Sequence, residues 1–179
     1  AFCFLAIATA ISVLAAQSEP TLVDAANAWW PSVVADRLDE CGDNVNAIRS
    51  ALASCPTDHR EELAFLIQHM PDRDLKTLSA EFLLENILLA EEARGSAKWT
   101  LPDAIYLNDV LPYASVDETR EAWRAEMRSR CLPIVSNCGT PGEAALKLNR
   151  ELFPLVHVKY STSREKANQS PSESIQQTV

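Results

Sequence analysis

Apolar residues recur along this chain at the 3.6-residue spacing of helices that bury one face. Residues 21–40 carry Leu22, Ala25, Ala26, Trp29, Trp30, Val33, Val34 and Leu38, a stripe that Pro31 should kink or divide. Asp43-Asn44 opens a second predicted helix through Val45, Ile48, Ala51 and Leu52, which Cys55-Pro56 ends. Asp58 and Glu61 form an acidic capping pair for a third, through Leu63, Phe65, Leu66 and Ile67, closed by Met70-Pro71. The longest predicted helix runs from Leu75 through Leu78, Phe82, Leu83, Ile87 and Leu88 to Arg94-Gly95. Its broad apolar surface places it at the centre of a bundle, with Asn86 on the buried side as a satisfied structural polar group.

Further helix starts follow. Thr100-Leu101-Pro102-Asp103 and Ser115-Val116-Asp117-Glu118 each pair a hydroxyl cap with an acid three residues on. The second should lead through Trp123-Arg124 to an end near Cys131-Leu132-Pro133, steadied by pairs among Glu118, Arg120, Glu121 and Arg124. Thr140-Pro141 and Ser170-Pro171 repeat the device with proline at the first helical position. The one predicted strand is Pro154–Tyr160, which alternates β-branched residues. With only four glycines, the chain reads as mainly α.

The first sixteen residues, Ala1 to Ala16, are uncharged and too short for the ~20 residues of a spanning helix. Val13-Leu14-Ala15 has the small-residue spacing of a secretory cleavage site, and Gln17-Ser18-Glu19 then turns polar. Residues 1–16 are therefore expected to be a signal peptide, truncated at its start, of an exported (periplasmic or extracellular) protein with no stable membrane span after cleavage. A net charge of −9, from 25 acids against 16 bases, argues against nucleic acid as a partner.

Four cysteines follow the leader. A helix over 44–54 would hold Cys41 and Cys55 ~20 Å apart, beyond the ~7 Å a disulfide tolerates. Cys131 and Cys138 could pair locally or remain thiols. No CxxC or finger-spaced Cys/His set occurs, so no metal or other cofactor is expected. A thiol nucleophile needs a base and a thiolate-stabilising setting. Cys55 and Cys131 fall at predicted helix C-termini, where the dipole works against a thiolate. Cys138, before the Thr140 cap, is the better placed. His59, His69 and His157 assemble no site, and Glu91-Glu92 and Asp72/Asp74 lie on helix ends or polar faces.

Several segments, taken in order, resemble the region preceding the catalytic cysteine in the bacterial transglutaminase-like family of papain-fold thiol enzymes. They are Met70-Pro71-Asp72-Arg73-Asp74-Leu75, Phe82-Leu83-Leu84-Glu85-Asn86, Asn108 to Trp123, Thr140-Pro141-Gly142-Glu143-Ala144-Ala145, and Lys159-Tyr160-Ser161 through Ser170-Pro171-Ser172-Glu173. The resemblance implies a helical domain at 17–135 and, at 136–179, the N-terminal part of a truncated papain-like α+β core. It implies that the complete protein forms a thioester from a peptide or protein substrate and passes the acyl group to an amine or water. The family's Cys, His and Asp match no position here and would follow Val179, so no catalytic residue is assigned. Lys159, Tyr160, Arg164 and Gln169 are the expected cleft edge, and the Asn108–Trp123 segment either steadies a helix or walls the cleft. The alternative is a non-catalytic exported helical module that binds a peptide, glycan or partner protein through Trp29-Trp30.

Overall fold

The computed structural model describes residues 28–115, 117–156 and 170–176. Among them the fold is mainly α, with no strand. Helix α1 (Ser32–Glu40) starts directly after Pro31, whose backbone is extended at φ −69° and ψ 159°. Pro31 therefore stands at the start of a helix, and its carbonyl accepts from Val34 N at 3.0 Å; residues 21–27 of the predicted stripe lie outside the described residues. Val34 and Leu38, one turn apart, are the buried face of α1. Arg37 on its flank binds the end of the third helix, donating to the Ile67 and Met70 carbonyls at 3.3 and 2.7 Å.

Gly42 takes φ +58°, a left-handed turn natural to glycine just past a helix end. It leads through a 3₁₀ turn (Gly42–Asn44) into α2 (Val45–Ser54). The Asn44 amide donates to the Leu75 and Leu78 carbonyls, both at 2.9 Å, and so fixes α2 to a later link. Helix α3 (Arg60–His69) follows a second 3₁₀ turn (Thr57–His59), and no side chain caps it, contrary to the Asp58/Glu61 expectation. It stops at Met70-Pro71 as predicted.

The predicted long helix divides in two. Helix α4 (Asp72–Leu75) is a single turn, and α5 (Ala80–Ser96) restarts where Ser79 Oγ accepts from Phe82 N at 3.2 Å. Helix α5 buries Ala80, Leu83, Asn86, Ile87 and Ala90, and packs against α2, α3 and α7. The core around it joins Val34, Ile48, Leu52, Leu63, Ile67, Leu75, Leu83, Ile87, Tyr106 and Leu111, all within 2% of full burial. Each such large aliphatic side chain contributes about 1.5–3 kcal/mol of transfer free energy.

Beyond α5, Pro102 and not Thr100 precedes α6 (Asp103–Ile105), which widens into a π-turn over Tyr106–Val110. Leu111 N bonds Tyr106 O at 2.8 Å across five residues. The Ser115 start forms its turn, with Glu118 Oε2 accepting from Ser115 N at 2.8 Å, but no helix follows it. Helix α7 begins instead at Arg124 and runs through Pro133 to Val135. Thr140 caps α8 (Pro141–Val156) as expected, its Oγ1 accepting from Glu143 N at 3.2 Å. Pro154 to Val156 are helical, which corrects the predicted strand; residues 157–160 of that prediction lie outside the described residues. A capped, propagating helix adds one bond per residue, which outweighs the weak strand preference of a few β-branched side chains. Helix α9 (Pro171–Gln176) opens on the reciprocal pair Glu173 N to Ser170 Oγ, 3.3 Å, and Ser170 N to Glu173 Oε2, 3.1 Å. No described helix is long and apolar enough to cross a membrane.

Candidate functional site

Asp74 is the most deeply buried charged residue described, at 1% exposure. Helix α4 points it inward because Pro71 starts that turn and Leu75, beside it, enters the core. Tyr113 Oη donates to its Oδ2 at 2.8 Å. Arg120 Nε reaches Oδ1 and Oδ2 at 3.0 and 2.9 Å, and Nη2 reaches Oδ2 at 2.8 Å. Arg73 adds an outer contact at 3.3 Å. Burial first, and then the bond to Asp74, raise the Tyr113 phenol far above its ordinary range, so it remains a donor. A buried carboxylate so fully supplied with donors is a structural anchor.

Above this anchor lies a cleft of about 220 Å³, walled by Phe65, His69, Met70, Pro112, Tyr113 and Arg120. His69 leans on the Phe65 ring at 4.5 Å. Glu118, Arg120, Glu121 and Arg124 do not pair along a helix as predicted, because the segment before Arg124 is not helical; Glu118 bonds Ser115 locally, and the other three find tertiary partners. Trp123 holds that segment in place by donating its indole N–H to Tyr113 O at 2.7 Å.

Arg124 enters a second polar knot. Its Nε donates to Asn86 Oδ1 at 2.5 Å, and its Nη2 serves the carbonyls of Val110, Leu111 (3.1 Å) and Pro112 (2.8 Å). The Asn86 amide donates to Leu111 O at 2.9 Å. The exit from the π-turn exposes these carbonyls, and Asn86 and Arg124 satisfy them. Asn86 is thus a satisfied structural group, as its position in the sequence suggests.

The same segment grips α9. Glu121 Oε1 accepts from Ser172 N at 2.8 Å, and Thr119 Oγ1 donates to Glu173 Oε1 at 3.1 Å. Ser170 is completely buried beside them. Residues 119–121 therefore hold the core through Arg120 and the start of α9 through its two neighbours.

Burial bears on three of the described thiols. Burial raises Cys41 and Cys131 above the ordinary thiol range and pushes Cys55 up to about 11. Cys41 Sγ donates to Arg37 O, and Cys55 Sγ to His59 O. Cys138 is buried, and no disulfide joins any of the four. No group of three or more His, Cys, Asp or Glu is placed to hold a metal among the described residues.

The expected cleft-edge residues Lys159, Tyr160, Arg164 and Gln169 lie outside the described residues. Trp29 and Trp30 meet edge to face at 5.6 Å, and the Trp29 indole donates to Leu52 O at 3.2 Å, so this pair serves the packing of the bundle. Sequence reasoning missed Asp74, Tyr113 and Arg120 as a unit. The available signal was Arg120, between Tyr113 and α7, and Arg124 at the start of α7, with more polar capacity than a loop needs. No protein-family model matches the chain, and no curated protein or solved structure is significantly similar to it.

Proposed function

We propose that this chain is the helical lead-in of an exported transglutaminase-like protein, and that its work is to hold the helix that introduces the catalytic core. One observation carries this reading: residues 119–121 tie the start of α9 to the buried Asp74 anchor. In the family that the segments resemble, a helix in this position precedes the nucleophilic cysteine. A scaffold serving such an enzyme should fix that helix by main-chain contacts, because misplacing a nucleophile by ~1 Å can cost ~100-fold in rate. The raised thiols of the chain agree with a nucleophile supplied from outside residues 1–179.

In the complete protein the thiolate attacks a glutamine-like amide or a peptide carbonyl, ammonia or the amine half of the peptide departs with a proton, and an amine or water takes the acyl group from the thioester. The substrate is a peptide or protein met outside the cytoplasm. The test is to express the chain with the sequence that follows Val179 in its gene, and to measure ammonia release and amine incorporation into a glutamine peptide. Activity that iodoacetamide abolishes, and that residues 1–179 alone lack, is the expected result. Turnover by residues 1–179 alone, or an extension without a Cys, His and Asp, would overturn the reading.

A further inference from the structure

Helix α7 has no buried residue, although one of its faces carries a regular row: Arg124, Met127, Arg128, Cys131, Leu132 and Val135. This row looks across to Leu89, Ala93 and Ser96 of α5, one to two turns apart. The two helices touch without closing, and leave a groove of about 290 Å³. At about 30 Å³ for each water-sized group, that space holds roughly ten non-hydrogen atoms.

The groove is apolar along its length and cationic at one end. Arg124 forms no ion pair with any described carboxylate, its acceptors being one amide oxygen and three main-chain carbonyls. Its Nη1 has no acceptor among the described residues, and Arg124 lines the groove. Burial with no acid to offset it pulls the Arg124 pKa down to about 10, which leaves the group charged at neutral pH. Arg128, one turn on, meets Glu92 at 3.3 Å through Nη1, while its Nε is buried without a partner. Ser96 Oγ is already committed to Ala93 O. Two guanidinium groups thus line one end of an apolar trough, and only Arg128 has a carboxylate beside it. Arg124 is half-buried with no described carboxylate beside it, and an incoming carboxylate would supply that counter-charge.

We propose that this groove binds a medium-chain fatty acid. Its carboxylate meets Arg124 and Arg128, and its alkyl chain lies along Leu89, Met127, Leu132 and Val135. The proposal is independent of the function proposed above. Titrating the full chain with decanoate, with tryptophan fluorescence and calorimetry as readouts, should give one saturable site. Decan-1-ol, which keeps the tail, and acetate, which keeps the charge, should each bind at least about tenfold more weakly. Ala93→Phe fills the trough from an exposed helix position and should abolish binding, while Arg128→Gln should weaken it about tenfold. Unchanged melting curves would show that both variants fold. Decan-1-ol binding as well as decanoate, retained binding in folded Ala93→Phe, or no saturation by decanoate would each overturn the proposal. So would a concentration-dependent dimer that Ala93→Phe dissolves and decanoate does not, which would assign the groove to a second copy.

Discussion

Arg124 is a half-buried guanidinium held by neutral oxygens, and its neighbours are arranged around that fact. The carbonyls of residues 110–112 would otherwise be orphaned where the π-turn ends, and a buried carbonyl without a partner costs about 1–3 kcal/mol. Asn86 is the hinge of this exchange because it gives a proton to Leu111 O and takes one from Arg124 Nε. Asn86→Leu should therefore destabilise the fold by about 1–3 kcal/mol, since it leaves Arg124 Nε without its acceptor and Leu111 O with one donor in place of two; urea unfolding monitored by circular dichroism would measure it. Glu62 makes the opposite prediction. Burial is the first cause of its raised pKa, and its Oε2 has no partner. With the native pKa above the unfolded one, the folded state binds the proton more tightly and loses stability as pH rises through the unfolded value. Glu62→Gln should match the parent chain below about pH 4 and exceed it in stability at neutral pH. A pH series of denaturation midpoints for the two proteins tests this.

Among the elements, the helices that begin where local chemistry says they should are those whose caps act within one turn. Thr140 and Ser170 bond the amides of Glu143 and Glu173 three residues on, and nothing distant is needed. Ser79 does the same for α5 and escaped the sequence reading because the apolar row continues through it. Ser79→Ala should cost about 1 kcal/mol in thermal or chemical unfolding, and leave the rest of the structure in place. Ser115 shows the limit of such local signals. Its turn with Glu118 forms, yet the helix fails to propagate. Arg120 is drawn to Asp74 and Trp123 to Tyr113 O, and these contacts hold the segment before Arg124 out of a helix.

On the scale of the whole molecule, the Asp74–Arg120 pair spans 46 residues and ties α4 to the segment that carries α9. Removing one partner of such a buried pair leaves an uncompensated charge. Asp74→Asn should cost about 3–5 kcal/mol. It should also speed hydrogen exchange at the Ser170, Ser172 and Glu173 amides, which Ser79→Ala should leave unchanged. Mass-spectrometric exchange on the three proteins separates coupling through the anchor from general loosening. Faster exchange in both variants, or in neither, would deny the anchor its part in holding α9.

What the sequence determined by itself is what short-range physics controls. The mainly helical class follows from the 3.6-residue rows, and the helix ends at Cys55-Pro56 and Met70-Pro71 follow from the proline ring. The caps at Thr140 and Ser170 follow from hydroxyls within reach of amides three residues away. Tertiary structure alone decided that Asp74 goes inside with Arg120 and Arg124 half-buried around the core, that α7 waits until Arg124, and that the 119–121 segment faces α9. Each of those outcomes depends on a charge finding partners far off in the chain. Whether a polar side chain is buried is set by the balance between desolvation and the bonds it meets there, and no window of neighbouring residues contains that balance.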